Sequence, residues 1–281
     1  MFDSEATSKL ELKHSIQSNP GGNVTQSGIN ITTEKVVAPG TLIGGTVGLQ
    51  KMEASSGASS DMKTAGVFGS QVTDLGKTSI SFTDKSGRGP AGREHHTDLT
   101  LGHAFPVGEK AVVGATLGHE THHVGAATAR GITAGLQGKL ETDLGVTSAA
   151  FKDTTLSGAG ISEHHQSTSL RHDFGIGDNS KLGASIFQQS QAVGSFNSQA
   201  HGFGLHASTV TGAGTTGLDF INKTTTSPFG VGGLQSTSLT HQIPLSNNTF
   251  LEGFGTHNTH MMPGGKTFDS NMLGLTFGMK F

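Results

Sequence analysis

Apolar and polar residues alternate along this chain with a period of two. Leu99, Leu101, His103 and Phe105 fall on one face of an extended segment. A Gly- and Pro-containing turn at PVGEK follows, and then three further segments that alternate in the same way. They are marked by Val113, Ala115 and Leu117, by Ile132, Ala134 and Leu136, and by Leu144 and Val146. This pattern predicts a four-stranded antiparallel meander. The opposite face carries Gly102, Gly114, Thr116 and Gly118, so it is small and weakly polar.

The meander is repeated. TDLGKTSISFTD at 73–84 returns as TDLGVTSAAFKD at 142–153, and the end of the run returns as TTGLDF at 215–220. LGHAFPVGEKAVVGA, LRHDFGIGDNSKLGA and LTHQIPLSNNTFLEG begin at 101, 170 and 239, a spacing of about 69 residues. A first copy is visible as LKHSI at 12–16 and TLIGGTVGL at 41–49. The chain thus reads as one repeat-built domain over 1–281, with units at approximately 1–93, 94–162, 163–231 and 232–281. The last unit is truncated at its third strand, MLGLTFGMKF. The expected fold is all-β: an antiparallel meander of about 15 short strands, closed or flattened into a barrel so that no long edge is exposed.

Composition changes this picture in three ways. A net charge of −3 gives no electrostatic reason to expect nucleic acid as a partner. Fifteen histidines could reverse that sign in acid, around an unperturbed pKa of roughly 6.5. Forty-three glycines and only 32% hydrophobic residues predict a thin core and marginal stability. Cysteine is absent, so disulfides and thiolate metal sites are excluded. The first residues, MFDSEATSKLELKHS, lack the basic and apolar regions of a leader, and no stretch of 18 apolar residues occurs.

No arrangement of nucleophile, base and oxyanion donor is evident, so the chain is not expected to be an enzyme, and no cofactor is implied. The pairs His95-His96 and His164-His165 each follow a glutamate and are weak candidates for metal ligation, with His122-His123 on a neighbouring loop. Adjacent strand residues point to opposite faces and duplication alone would produce such pairs, so no metal is assigned. His14, His103, His172 and His241 occupy what reads as one position in the four copies, flanked by apolar residues. Two readings stay open for them: a ring of neutral, hydrogen-bonded histidines, or a pH-responsive set whose protonation at buried positions loosens the barrel. The ending LGLTFGMKF suggests an outer-membrane barrel. The absence of Tyr and Trp, and strands that read shorter than the roughly 9 to 11 residues needed to span, argue against constitutive membrane residence and leave peripheral membrane contact.

KLGASIFQQSQ at 181–191, followed by GFGLHASTVTGAGTTGLDFINKTTTSPF at 202–229, resembles the glycine-rich repeat of the attacins, insect antibacterial immune proteins. The resemblance covers residues 95–281 most clearly. It implies secretion and non-enzymatic action on the Gram-negative envelope, with lipopolysaccharide as the expected partner. A membrane pore or channel is the second expectation, and a structural or metal-binding repeat protein the third.

Overall fold

The computed structural model describes residues 6–20, 22–89, 92–158 and 160–280. The chain forms β1 (Ala6–Asn19), β2 (Gly22–Ala38), β3 (Thr41–Ala54), β4 (Ser59–Thr73), β5 (Gly76–Gly89) and β6 (Gly92–Val107). Next come β7 (Ala111–Val124), β8 (Ala127–Thr142), β9 (Gly145–Gly158), β10 (Ile161–Ile176) and β11 (Ser180–Val193). The last are β12 (Phe196–Thr211), β13 (Gly214–Ser227), β14 (Gly230–Pro244), β15 (Thr249–Met261) and β16 (Thr267–Lys280). Each strand pairs antiparallel with its sequence neighbours, and β1 pairs with β16, so the sheet is a closed meander barrel. The all-β, closed-barrel expectation holds.

The strands are not short. They run from 13 residues in β15 to 17 in β2, because the hydrogen-bonded ladder continues through stretches with few apolar residues. β10 is an example: its first half, ISEHHQST, carries one aliphatic residue and still pairs with β9 throughout and with β11 from Glu163 onward. Backbone pairing needs no apolar side chain, so the ladder runs on beyond the hydrophobic alternation.

The repeat is visible in backbone geometry. Gly76, Gly145 and Gly214 open β5, β9 and β13 at φ 126, 140 and 135. That region is open to glycine and costly for other residues. In each of these turns a threonine hydroxyl three residues earlier donates to the glycine carbonyl: Thr73 at 3.3 Å, Thr142 at 3.1 Å and Thr211 at 3.2 Å.

The first copy departs from its expected alignment. LKHSI lies on β1, which runs antiparallel to β6, β10 and β14, so His14 does not occupy the position of His103, His172 and His241. β3 carries Gly44, Thr46 and Gly48 where β7 carries Gly114, Thr116 and Gly118, which aligns β2 with β6. Thr33 then takes the place of His103, and its hydroxyl meets that of Ser8 at 3.1 Å. The four strands of the fourth copy are β14, β15, β16 and, closing the ring, β1.

Exposure inverts the expected core. Among the described residues the buried set is Ala129, Ala200, Ser15, Ser270 and glycines such as Gly102, Gly114 and Gly118, whereas Leu101, Leu117, Leu136, Ile186 and Leu273 are 49–69% exposed. The glycine- and serine-rich face is the crowded concave one, and the apolar face looks outward. A sixteen-stranded barrel is too wide for side chains to fill, so its interior is an aqueous lumen rather than a core.

Candidate functional site

The lumen wall is built from the residues alternate to the apolar set. On β1 it presents Lys9, Glu11 and Lys13, and Glu11 and Lys13 share a recess of about 410 Å³ with Gln26, Asn30, Gln50 and Glu252. Lys9 bridges Glu11 at 2.5 Å. Phe250 and Phe254 also turn inward and lie over Gly278 and Gly274, where an added Cβ would approach the rings within 2.1 and 2.2 Å. Lys9 and Lys13 stand above these two rings at 5.6 and 5.2 Å from the centroids, a cation–π arrangement that fixes their ammonium groups at the wall. Across the barrel, Arg171 donates through Nε to Asp173 at 3.0 Å, and the imidazole of His206 meets the same carboxylate. Lys139 donates to Glu141 at 2.6 Å. Both charge signs are thus interspersed around the wall, with Lys9–Glu11, Lys139–Glu141 and Arg171–Asp173 paired along it.

The outward face carries an apolar belt. On β6 it extends from Leu99 to Val107, on β10 from Leu170 to Ile176 and on β14 from Leu239 to Leu245. His103, His172 and His241 lie within this belt, not in a buried core. Each is tied through Nδ1 to a threonine hydroxyl on the preceding strand, Thr78 at 2.7 Å, Thr147 at 2.8 Å and Thr216 at 2.8 Å. His14 is also outward and meets Ser27 at 2.9 Å. Phe105 and Phe174 pack on the imidazoles at 4.1 and 4.2 Å between centroids. The pH-responsive reading placed these histidines at buried positions, and that part is corrected: none of the four is buried, and all look outward.

Beyond the belt, at the end away from Ala6 and Lys280, the outward face becomes polar. The two Glu-His-His pairs lie there, and each splits across the sheet. His95 bonds Asp84 at 2.8 Å and His164 bonds Asp153 at 3.1 Å, an outward pair repeated in adjacent copies. His96 and His165 turn into the lumen, His96 opposite His122 and His165 opposite Gln191. His122 and His123 are on strand β7, not on a loop. Sequence reasoning missed Glu120, which joins His96 and His122 on the lumen wall. Its i−2 spacing to His122 was the available signal, but only the register of β6 against β7 brings His96 to the same place.

No family model matches the chain and no curated protein matches it. Among solved structures it is similar to a bacterial polysaccharide outer-membrane secretin, with a TM-score of 0.71 and 9% identity over 98% of each chain. It is also similar to CdiB from Acinetobacter baumannii, at a TM-score of 0.64 and 11% identity over 98% of this chain and 60% of that one. An anion-selective porin from Comamonas acidovorans matches at a TM-score of 0.58 and 11% identity over 99% of each chain. At such identities the likeness is one of fold. That fold is carried by outer-membrane porins and secretins, and with the outward apolar belt it overturns the expectation of a secreted, attacin-like antibacterial immune effector.

Proposed function

We propose that this chain is an integral outer-membrane β-barrel that forms a non-enzymatic aqueous channel. The observation that carries the reading is the inversion of the barrel: most leucine, isoleucine and valine outside, and Lys, Glu, Gln, Ser and Gly, with a few phenylalanines, within. Water cannot solvate such an exterior cheaply, whereas a bilayer can. The belt also has a fitting height. Leu99 to Val107, at ~3.4 Å per residue and a tilt of ~40°, rises about 21 Å, close to the ~25 Å apolar band of outer-membrane barrels.

The polar collar beyond the belt supports contact with lipopolysaccharide. Lys51, Lys63, Arg88 and Arg130 face outward there, at the height where lipid phosphates would stand, together with the His95–Asp84 and His164–Asp153 pairs. Mixed charge signs on the lumen wall imply weak ion selectivity.

Reconstitution of the purified protein into a planar bilayer tests the channel. Stepwise conductance increments are expected, with a reversal potential close to zero in a KCl gradient. Protein that is inserted, as judged by resistance to alkaline extraction, yet gives no conductance would overturn the channel and leave only the membrane barrel. The histidine stations give a second test. Thr147→Val leaves His172 Nδ1 without its partner in an apolar surround, and this should destabilise the inserted barrel by about 1–3 kcal/mol. Adding His172→Leu should recover most of the loss in urea unfolding from vesicles, because both polar groups are then gone. In water the first substitution would be nearly silent.

A further inference from the structure

The geometry points to a transition-metal site on the lumen wall, formed by His96, Glu120 and His122, with Zn²⁺ as the class of ion it fits. His96 of β6 and His122 of β7 are direct cross-strand partners, and Glu120 lies two residues before His122 on the same face. One donor atom from each residue lies within 4.8 Å of the others. His122 Nε2 is 3.1 Å from Glu120 Oε2, and His96 Nε2 is 3.8 Å from the same oxygen. The two imidazoles approach to 3.8 Å between centroids. Small side-chain rotations bring two nitrogens and one oxygen to the ~2.0–2.2 Å at which zinc is held.

Two further observations point to a ligand. His96 Nε2 is buried and has no hydrogen-bond partner in the described structure, although it faces the carboxylate that would share an ion with it. Buried polar atoms of this kind are normally satisfied, and a metal ion would satisfy this one. Glu120 is also given its place by the backbone: it lies opposite Gly131 of β8, where an added Cβ would come within 2.9 Å of its side chain. Lys85 stands opposite His96 on β5, and Asp98 follows two residues along β6, so the surroundings bring one charge of each sign.

Duplication does not account for the cluster. In the next copy the corresponding positions are His165, Gln189 and Gln191, of which Gln191 is committed to Glu163 at 2.7 Å and Gln189 to Lys223 at 3.0 Å. In the copy after that they are Leu234, Asn258 and His260. The two-histidine, one-carboxylate set is therefore particular to one place on the wall. Two imidazoles and a carboxylate suit Zn²⁺, and three protein ligands leave a fourth position open to water in the lumen.

The site does not depend on the barrel conducting, so its test is separate from that of the channel. The refolded full-length protein, stripped with chelator and held in detergent micelles, is titrated with Co²⁺ and then with Zn²⁺. One equivalent of Co²⁺ should give visible d–d absorption that Zn²⁺ abolishes. His96→Gln, Glu120→Gln and His122→Gln should each weaken binding by more than the roughly 10–100-fold that loss of a supporting partner costs. His165→Gln and His95→Gln should leave it unchanged. Retained mobility of the unheated barrel on gels shows that each variant is folded. Absence of a one-equivalent site in the parent protein, or binding unchanged in His96→Gln and His122→Gln, would overturn the proposal.

Discussion

Replacing Leu101, Leu170 or Leu239 with Arg is expected to destabilise the barrel in lipid by about 1–4 kcal/mol each, the cost of a cation on a lipid-facing band, which grows toward its middle. The three leucines are equivalent positions in successive copies and are 49, 46 and 54% exposed. In a water-soluble barrel an exposed Leu→Arg change falls within roughly 0.5 kcal/mol and improves solubility. Few substitutions separate the two environments by so wide a margin. The positions lie four strands apart and share no partners, so their costs should add and the triple variant should fail to insert. Urea unfolding from vesicles, with the same variants followed for partition into the aqueous phase, gives the answer. Arg variants as stable as the parent would show that this face meets water, and the outer-membrane reading would fall with it.

That contrast also shows what the sequence could and could not convey. Alternation at Leu99, Leu101, His103 and Phe105 gave the strands and their pairing, and the 69-residue repeat gave the meander. Neither says which face is dry. Alternation is symmetric between a barrel packed with its apolar face and one that turns it outward, and the choice is made by the number of strands that close the ring. That number read as about 15 rather than 16 because the first half of β2, GNVTQSGIN, carries little apolar periodicity. LKHSI and LGHAF look alike as strings, yet they run in opposite directions. A short motif on a strand carries no arrow once its neighbours are removed. The histidine pairs were located as residues, but their division into outward His95 and inward His96, and the company of Glu120, depend on cross-strand register. Register is a property of two segments at once.

Closure itself supplies the second large effect. β1 pairs with β2 on one side and β16 on the other, and its removal would leave two sheet edges, which in the bilayer of the proposed function find no water to satisfy them. Deleting residues 1–19 is therefore expected to abolish the compact, closed form of the protein altogether, read as loss of the parental mobility of the unheated protein on gels. The loss should be one of position in the chain and not of composition. A circular permutant that starts at Gly22 and carries residues 1–19 after Phe281 restores the same strand order, with β1 now following β16 as the fourth strand of its copy. Lys9 and Lys280 are already register partners, so the new connection spans a short distance, and a modest change in connection length alters closure entropy by about 1 kcal/mol or less. The permutant should fold to a barrel of parental mobility and conductance. If the deletion variant instead folds and conducts by itself, β16 must pair with β2 directly. In that case β1 is an addition to the repeat array rather than the strand that completes it.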